Sequence, residues 1–126
     1  MTKFKSQGFN KTFKNARKGF NLAVKSETNI RVHVTVAVLV MLLAIYLKFT
    51  LLELCILLLV IAIVIVSEML NTAIEFALDS IYHNKYSRMV GMAKDISAGA
   101  VMFATVISVI IGVILFGSKI LLLIQV

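Results

Sequence analysis

Sixteen residues, "LLELCILLLVIAIVIV" at 51–66, contain a single charge. A soluble domain built from so short a chain has no interior large enough to hide such a run along with its neighbours. The chain is 126 residues, 60% of them hydrophobic, with a mean hydropathy of +1.00. That composition places it in the integral-membrane class and predicts one domain over 1–126. It has no proline, so no helix interior is broken by one.

Two further apolar stretches have spanning length. The first is about 30–47, with Arg31 and His33 at its edge. The third is about 96–116, within a helix over 93–116, followed by "GSK" and a short apolar tail. The second helix is expected to run past its apolar part, from 51 to 82. Residues 48–50 form a turn, and "HNKYSRMVG" at 83–91 is the polar loop. Upstream, Phe9, Phe13, Phe20 and Val24 make one helical stripe over 9–25, with Lys11, Lys14, Arg17, Lys18 and Lys25 around the remainder. Such a helix lies in a membrane interface. "SETN" at 26–29 separates it from the first span. The fold class is therefore all-α, with three transmembrane helices and an amphipathic surface helix. The basic, polar start does not resemble a signal peptide, and no cleavage is expected.

The net charge is +7, and eight of the thirteen Lys and Arg lie in residues 1–31. A basic patch beside a span suits anionic headgroups, and nucleic acid is not expected as a partner. Three more basic residues (Lys85, Arg88 and Lys94) lie near the second loop, against one at each opposite end. The positive-inside rule then puts the N-terminus and second loop of a multi-pass protein in the cytoplasm. Tyr46, Tyr82 and Tyr86 fall near expected boundaries. Ala100, Ala104, Ser108 and Gly112 recur every four residues, a ridge of small side chains that lets another helix approach. Cys55, amid leucines, reads as apolar filler.

The second helix ends in "SEMLNTAIEFALD" (67–79), and this stretch carries the chemistry. Glu68, Asn71, Glu75 and Asp79 fall within an arc of roughly 80° on one helical face. Met69, Leu70, Ala73, Phe76 and Ala77 occupy the other. Carboxylates at the rim of an apolar segment cost on the order of a few kcal/mol unless partnered. Lys94 and Asp95 begin the third span, and Glu27 precedes the first, all at the same expected interface. For Asp79, and for the Lys94–Asp95 pair, a solvated helix end or cap is a rival reading. Three spans cannot by themselves surround this many acids, which predicts oligomerisation.

Such a site suits a hard divalent cation with oxygen ligands. A cation, a lysine and a carboxylate base are also the parts of phosphoryl transfer, with a lipid alcohol as acceptor at headgroup level. "GVILFGSK" (112–119) imitates a P-loop, but its Ser and Lys are reversed and no strand precedes it. Arg31 and His33 could touch a headgroup or snorkel. His83 belongs to the loop. A proton-coupled carrier would want its acid near the bilayer midplane, whereas this stripe sits at one edge. A non-catalytic adaptor would need no acidic stripe.

"EMLNTAIEFALD" (68–79) followed by "AKDISAGAV" (93–101) resembles the small prokaryotic integral-membrane diacylglycerol kinase family, from Gly19–Phe20 to about Gly112. "GFNLAVKSETNIRVHV" (19–34) is more similar to its Gram-positive branch of undecaprenol kinases. The resemblance implies a homotrimeric helical bundle in a bacterial plasma membrane, with sites shared between protomers. It also implies Mg²⁺- and ATP-dependent phosphorylation of a membrane alcohol, undecaprenol or alternatively diacylglycerol. It would make Glu68 the general base, with Asn71 beside the reacting hydroxyl, and Glu27 and Glu75 the metal ligands. Lys94 would contact the phosphates, Asp95 would orient Lys94 or the base, Asp79 would tether nucleotide or neighbouring basic groups, and Arg17 would bind nucleotide. Relatives often carry a histidine shortly before the "AKD" lysine. This chain reads "NKYSRMVGMAKD" there, with His83 further upstream.

Overall fold

The computed structural model of the chain describes residues 8–83, 85 and 87–125. Tyr86 lies outside them. Four helices follow in order: α1 (Phe9–Ser26), α2 (Thr28–Tyr46), α3 (Leu51–Tyr82) and α4 (Arg88–Ile124). There is no strand among the described residues. The last three helices are long and apolar enough to cross a membrane. At 1.5 Å per residue, α3 is about 48 Å long and exceeds a hydrocarbon core of about 30 Å. Its polar third can therefore project beyond the lipid.

A single residue joins α1 to α2. Glu27 is extended (φ −113°, ψ 121°) and serves both helices as a cap. Its N–H donates to the Ala23 carbonyl at 3.1 Å, and its carboxylate caps neither helix. Ala23 and Ile30 bury the inside of this elbow, Ile30 completely. The break is shorter than the four-residue interruption read in "SETN", because Thr28 and Asn29 already belong to α2.

At the far end, α2 turns into α3 through Lys48, whose φ of 57° is left-handed. The Phe49 N–H closes the turn on the Ala44 carbonyl at 3.0 Å. Thr50 then starts α3 with a reciprocal cap. Its Oγ1 accepts from the Glu53 N–H at 3.3 Å, while its own N–H donates to Glu53 Oε2 at 2.6 Å. Phe49 is buried, and its ring centroid lies 4.7 Å from that of Phe116 on α4. Lys119 Nζ sits 5.6 Å from the Phe49 ring centroid and 3.3 Å from Glu53 Oε2. This clamp ties the α2–α3 turn to α4 over a core of Ala44, Phe49 and Leu57.

If the clamp holds the far end, Lys119→Met and Glu53→Gln should each lower the thermal midpoint in detergent. The double variant should fall by less than the sum of the two single losses, because both remove the same ion pair. Circular dichroism melts check this. Additive losses would show that the two residues act separately.

Helix α4 begins five residues before and ends eight residues after the helix read from the sequence. "GSK" sits inside it, because Gly117 and Ser118 do not stop a helix whose next turns are apolar and whose Lys119 is paired. The small-residue ridge also differs from its expected line. Ser97 and Ala104, seven apart, are buried, whereas Ala100 is exposed and Ser108 and Gly112 are half-buried. Seven residues return to within about 20° of the same direction, whereas each step of four drifts by about 40°, so a four-step ridge rotates away from α3.

Candidate functional site

The buried positions of α3 are Leu57, Val60, Val64, Glu68 and Thr72. One stripe thus begins as hydrocarbon and ends as a carboxylate. Glu68 is only 4% exposed, and no hydrogen bond or ion pair reaches its side chain among the described residues. No sealed polar atom is left unpaired among them, so the carboxylate faces the adjoining cleft. That cleft, about 310 Å³, lies between the start of α2, α3 and α4 and is lined by Asn29, Glu68, Asn71, Glu75, Ala98, Val101 and Met102.

Asn71 occupies its centre with a determined orientation. Its Nδ2 donates to Glu75 Oε1 at 3.2 Å, and its Oδ1 accepts from the Ser97 hydroxyl at 2.6 Å. The Glu75 carboxylate can only accept, so turning the amide around would lose that bond, and this fixes the orientation. Ser97 Oγ also lies 3.0 Å from the Lys94 carbonyl, within its own helix. One turn further along α3, Asp79 Oδ1 meets Lys94 Nζ at 2.6 Å, both side chains partly open to solvent.

The residues singled out from the sequence therefore separate into groups. Glu68, Asn71 and Glu75 share the cleft, and Asp79 and Lys94 form an ion pair beside it. Glu27 lies at the elbow and is not part of the cleft lining, although Asn29, two residues on, is. Asp95 is exposed, and the partner of Lys94 is Asp79, not Asp95. Arg17 is exposed on α1. His83 ends α3 in the left-handed conformation and is exposed. Arg31 turns to the Thr28 hydroxyl at 2.9 Å and the Lys25 carbonyl at 3.5 Å, whereas His33 lines an apolar furrow.

Ser97 and Asn29 were not singled out by sequence. Lys94 and Ser97 are one turn apart on α4, and that spacing was the available signal for Ser97. Removing its hydroxyl should loosen Asn71. Ser97→Ala is expected to lower kcat about three- to tenfold, the worth of one hydrogen bond of about 0.5–1.5 kcal/mol, with Ser97→Thr restoring it. Steady-state kinetics of both variants check this.

The donor set suits a hard cation. Glu75 and Glu68 offer carboxylate oxygens on one wall, and Asn29 adds an amide. Among the described residues no three of His, Cys, Asp and Glu gather at one point. Mg²⁺ commonly uses one or two protein carboxylates and takes its other ligands from water and substrate phosphates, so the residues present fit it.

The chain is similar to known proteins over most of its length. The family model described as prokaryotic diacylglycerol kinase matches residues 14–116, which include the cleft. A Synechocystis protein named diacylglycerol kinase is 32% identical over 101 residues, 80% of this chain but 58% of that protein's length. A Bacillus subtilis protein named undecaprenol kinase is 35% identical over 111 residues, 88% of this chain and 89% of that protein.

Proposed function

The chain belongs to the prokaryotic diacylglycerol kinase family, and from that premise we propose that it phosphorylates a membrane lipid alcohol with ATP, undecaprenol being the acceptor. The observation that carries this reading is Glu68, a buried carboxylate with no partner among the described residues, opening onto a cleft at the rim of an apolar segment. An unpaired acid there costs several kcal/mol, a cost that a functional role explains.

In the proposed reaction Glu68 accepts the proton of the lipid hydroxyl as the hydroxyl oxygen attacks the γ-phosphorus of ATP. The bond between that phosphorus and the β–γ bridging oxygen breaks, ADP leaves, and the lipid becomes a phosphomonoester. Asn71, held between Ser97 and Glu75, positions the hydroxyl against Glu68. Lys94 reaches the phosphates, with Asp79 keeping its ammonium beside the cleft. Arg17 and Asp79 would add nucleotide contacts, and Asp95 would act on its own side of α4. Glu75, with Glu27, would hold Mg²⁺. When bound, the ion supplies charge neutralisation at the β- and γ-phosphate oxygens.

Glu27 and Asp95 stand apart from the cleft of one chain. We therefore place the complete site between copies in a homotrimer, where a neighbour supplies what one protomer lacks. The basic N-terminal segment and the Lys85–Lys94 region support an orientation with this end in the cytoplasm.

Undecaprenol is favoured because the likeness to the B. subtilis protein covers nearly all of both chains. The Synechocystis protein's name keeps diacylglycerol as the second acceptor. Purified protein, labelled ATP and the two lipids in parallel, with and without Mg²⁺, test the reading. Label should enter undecaprenol faster and only with the cation. Label entering neither lipid would overturn it.

A further inference from the structure

The linker between α1 and α2 is one residue long, and that residue is Glu27. Its N–H donates to the Ala23 carbonyl at 3.1 Å, and its carbonyl accepts from the Arg31 N–H at 3.4 Å. Its carboxylate is engaged by no hydrogen bond or ion pair among the described residues. A lone extended residue between two helices is a hinge unless something spans it. We propose that the Arg31 side chain is that span, a positioning residue that holds the elbow from which the Glu27 carboxylate is presented to a divalent cation. The proposal rests on the kinase reading, in which Glu27 helps to hold Mg²⁺, and names the group that acts on Glu27.

Arg31 follows Glu27 by four residues and Thr28 by three. Its side chain leans back toward the start of α2 and so lies over both. Nη2 donates to the Thr28 hydroxyl at 2.9 Å, and Nη1 donates to the Lys25 carbonyl at 3.5 Å. One planar guanidinium thus holds the chain on each side of Glu27, at the last turn of α1 and the first of α2. The Lys25 carbonyl needs such a donor. In an unbroken helix its partner would be the Asn29 N–H, four residues on, which here belongs to α2. A cation at the C-terminal end of α1 also suits the helix dipole. Ala23 and Ile30 are buried inside the bend, so the elbow is packed within and bonded outside.

The charges give this brace a distinctive sign. Arg31 and Glu27 share a helix face but form no ion pair among the described residues. The guanidinium directs its donors to the chain, and the carboxylate stays free for another cation. Coulomb repulsion alone makes Arg31 unfavourable to a divalent ion nearby. A brace makes Arg31 favourable to it. Ion binding separates the two effects.

Mn²⁺ alone is titrated into the purified full chain in detergent and followed by the electron paramagnetic resonance signal of the free ion. Label transfer from ATP to lipid and a thermal melt are measured on the same preparations. Glu27→Gln sets the level of a lost ligand. Arg31→Gln is expected to weaken Mn²⁺ binding about fivefold to tenfold, and Thr28→Val, which keeps the charge, about threefold, as the loss of a hydrogen bond would. Arg31→Lys, a cation without the fork, should fall between wild type and Arg31→Gln. In the Glu27→Gln background Arg31→Gln should add nothing, because it acts through Glu27. Unchanged or tighter binding in Arg31→Gln would overturn the brace, and so would a full further loss in the Glu27→Gln background. If Arg31→Gln loses its melt, Thr28→Val decides, and wild-type affinity there overturns the proposal. Each of these failures leaves the kinase reading in place while the wild type labels lipid. A wild type that labels neither lipid removes the kinase reading, and the brace with it.

Discussion

Glu68→Gln is expected to lower lipid phosphorylation about 10²- to 10⁴-fold, the contribution of a positioned general base. The substitution keeps shape and volume and removes only the charge. Because nothing in the described chain pairs with that charge, stability should hold or rise, in contrast to the usual cost of breaking a buried ion pair. KM for ATP should be little changed, since the side chain faces the acceptor cleft. Transfer of label from ATP to lipid, measured beside a thermal melt in the same detergent, separates the outcomes. Wild-type turnover in the variant would remove Glu68 from proton transfer. Lost turnover together with a collapsed melt would make it a structural acid.

Lys94→Met should cost about 10²- to 10³-fold in kcat/KM, comparable to removing one preorganised donor from a developing anion. Its partner helps interpret that loss. Asp79→Asn leaves the lysine in place but less well held, and a loss of about tenfold, chiefly in KM for ATP, is expected from one weakened charge-assisted contact of about 1.4 kcal/mol. The exchanged pair, Asp79→Lys with Lys94→Asp, decides between roles. It restores opposite charges across α3 and α4 but places the cation on the wrong helix. Recovered stability without recovered turnover would assign Lys94 to the phosphates. Recovered turnover would mean that the ion pair matters only as a strut.

The spans and the acidic face were legible because each depends on periodicity within one helix. Leu51–Tyr82 reads as apolar and then striped without knowledge of what it packs against. The ends of α4 were not, because "GSK" looks like punctuation until Lys119 finds Glu53 across 66 residues of sequence. The Ser97–Asn71 contact was invisible for the same reason. It depends on the rotation of α4 against α3, which no local pattern specifies. The pairing of Lys94 with Asp79 instead of its neighbour Asp95 follows from helical geometry, since adjacent side chains point about 100° apart and only one faces α3. The convergence of Glu27 with Glu75 was an expectation about elements far apart in the chain, and one protomer leaves Glu27 at the elbow, outside the cleft.

The aromatic and ionic clamp fastens α4 to the α2–α3 turn at one extremity, and the Asn71–Ser97 and Asp79–Lys94 contacts fasten α4 to α3 at the other. Helices α3 and α4 are thus riveted at both tips, as two planks nailed at each end resist sliding and twisting. The spacing between Asn71 and Lys94 is thereby set before an acceptor arrives.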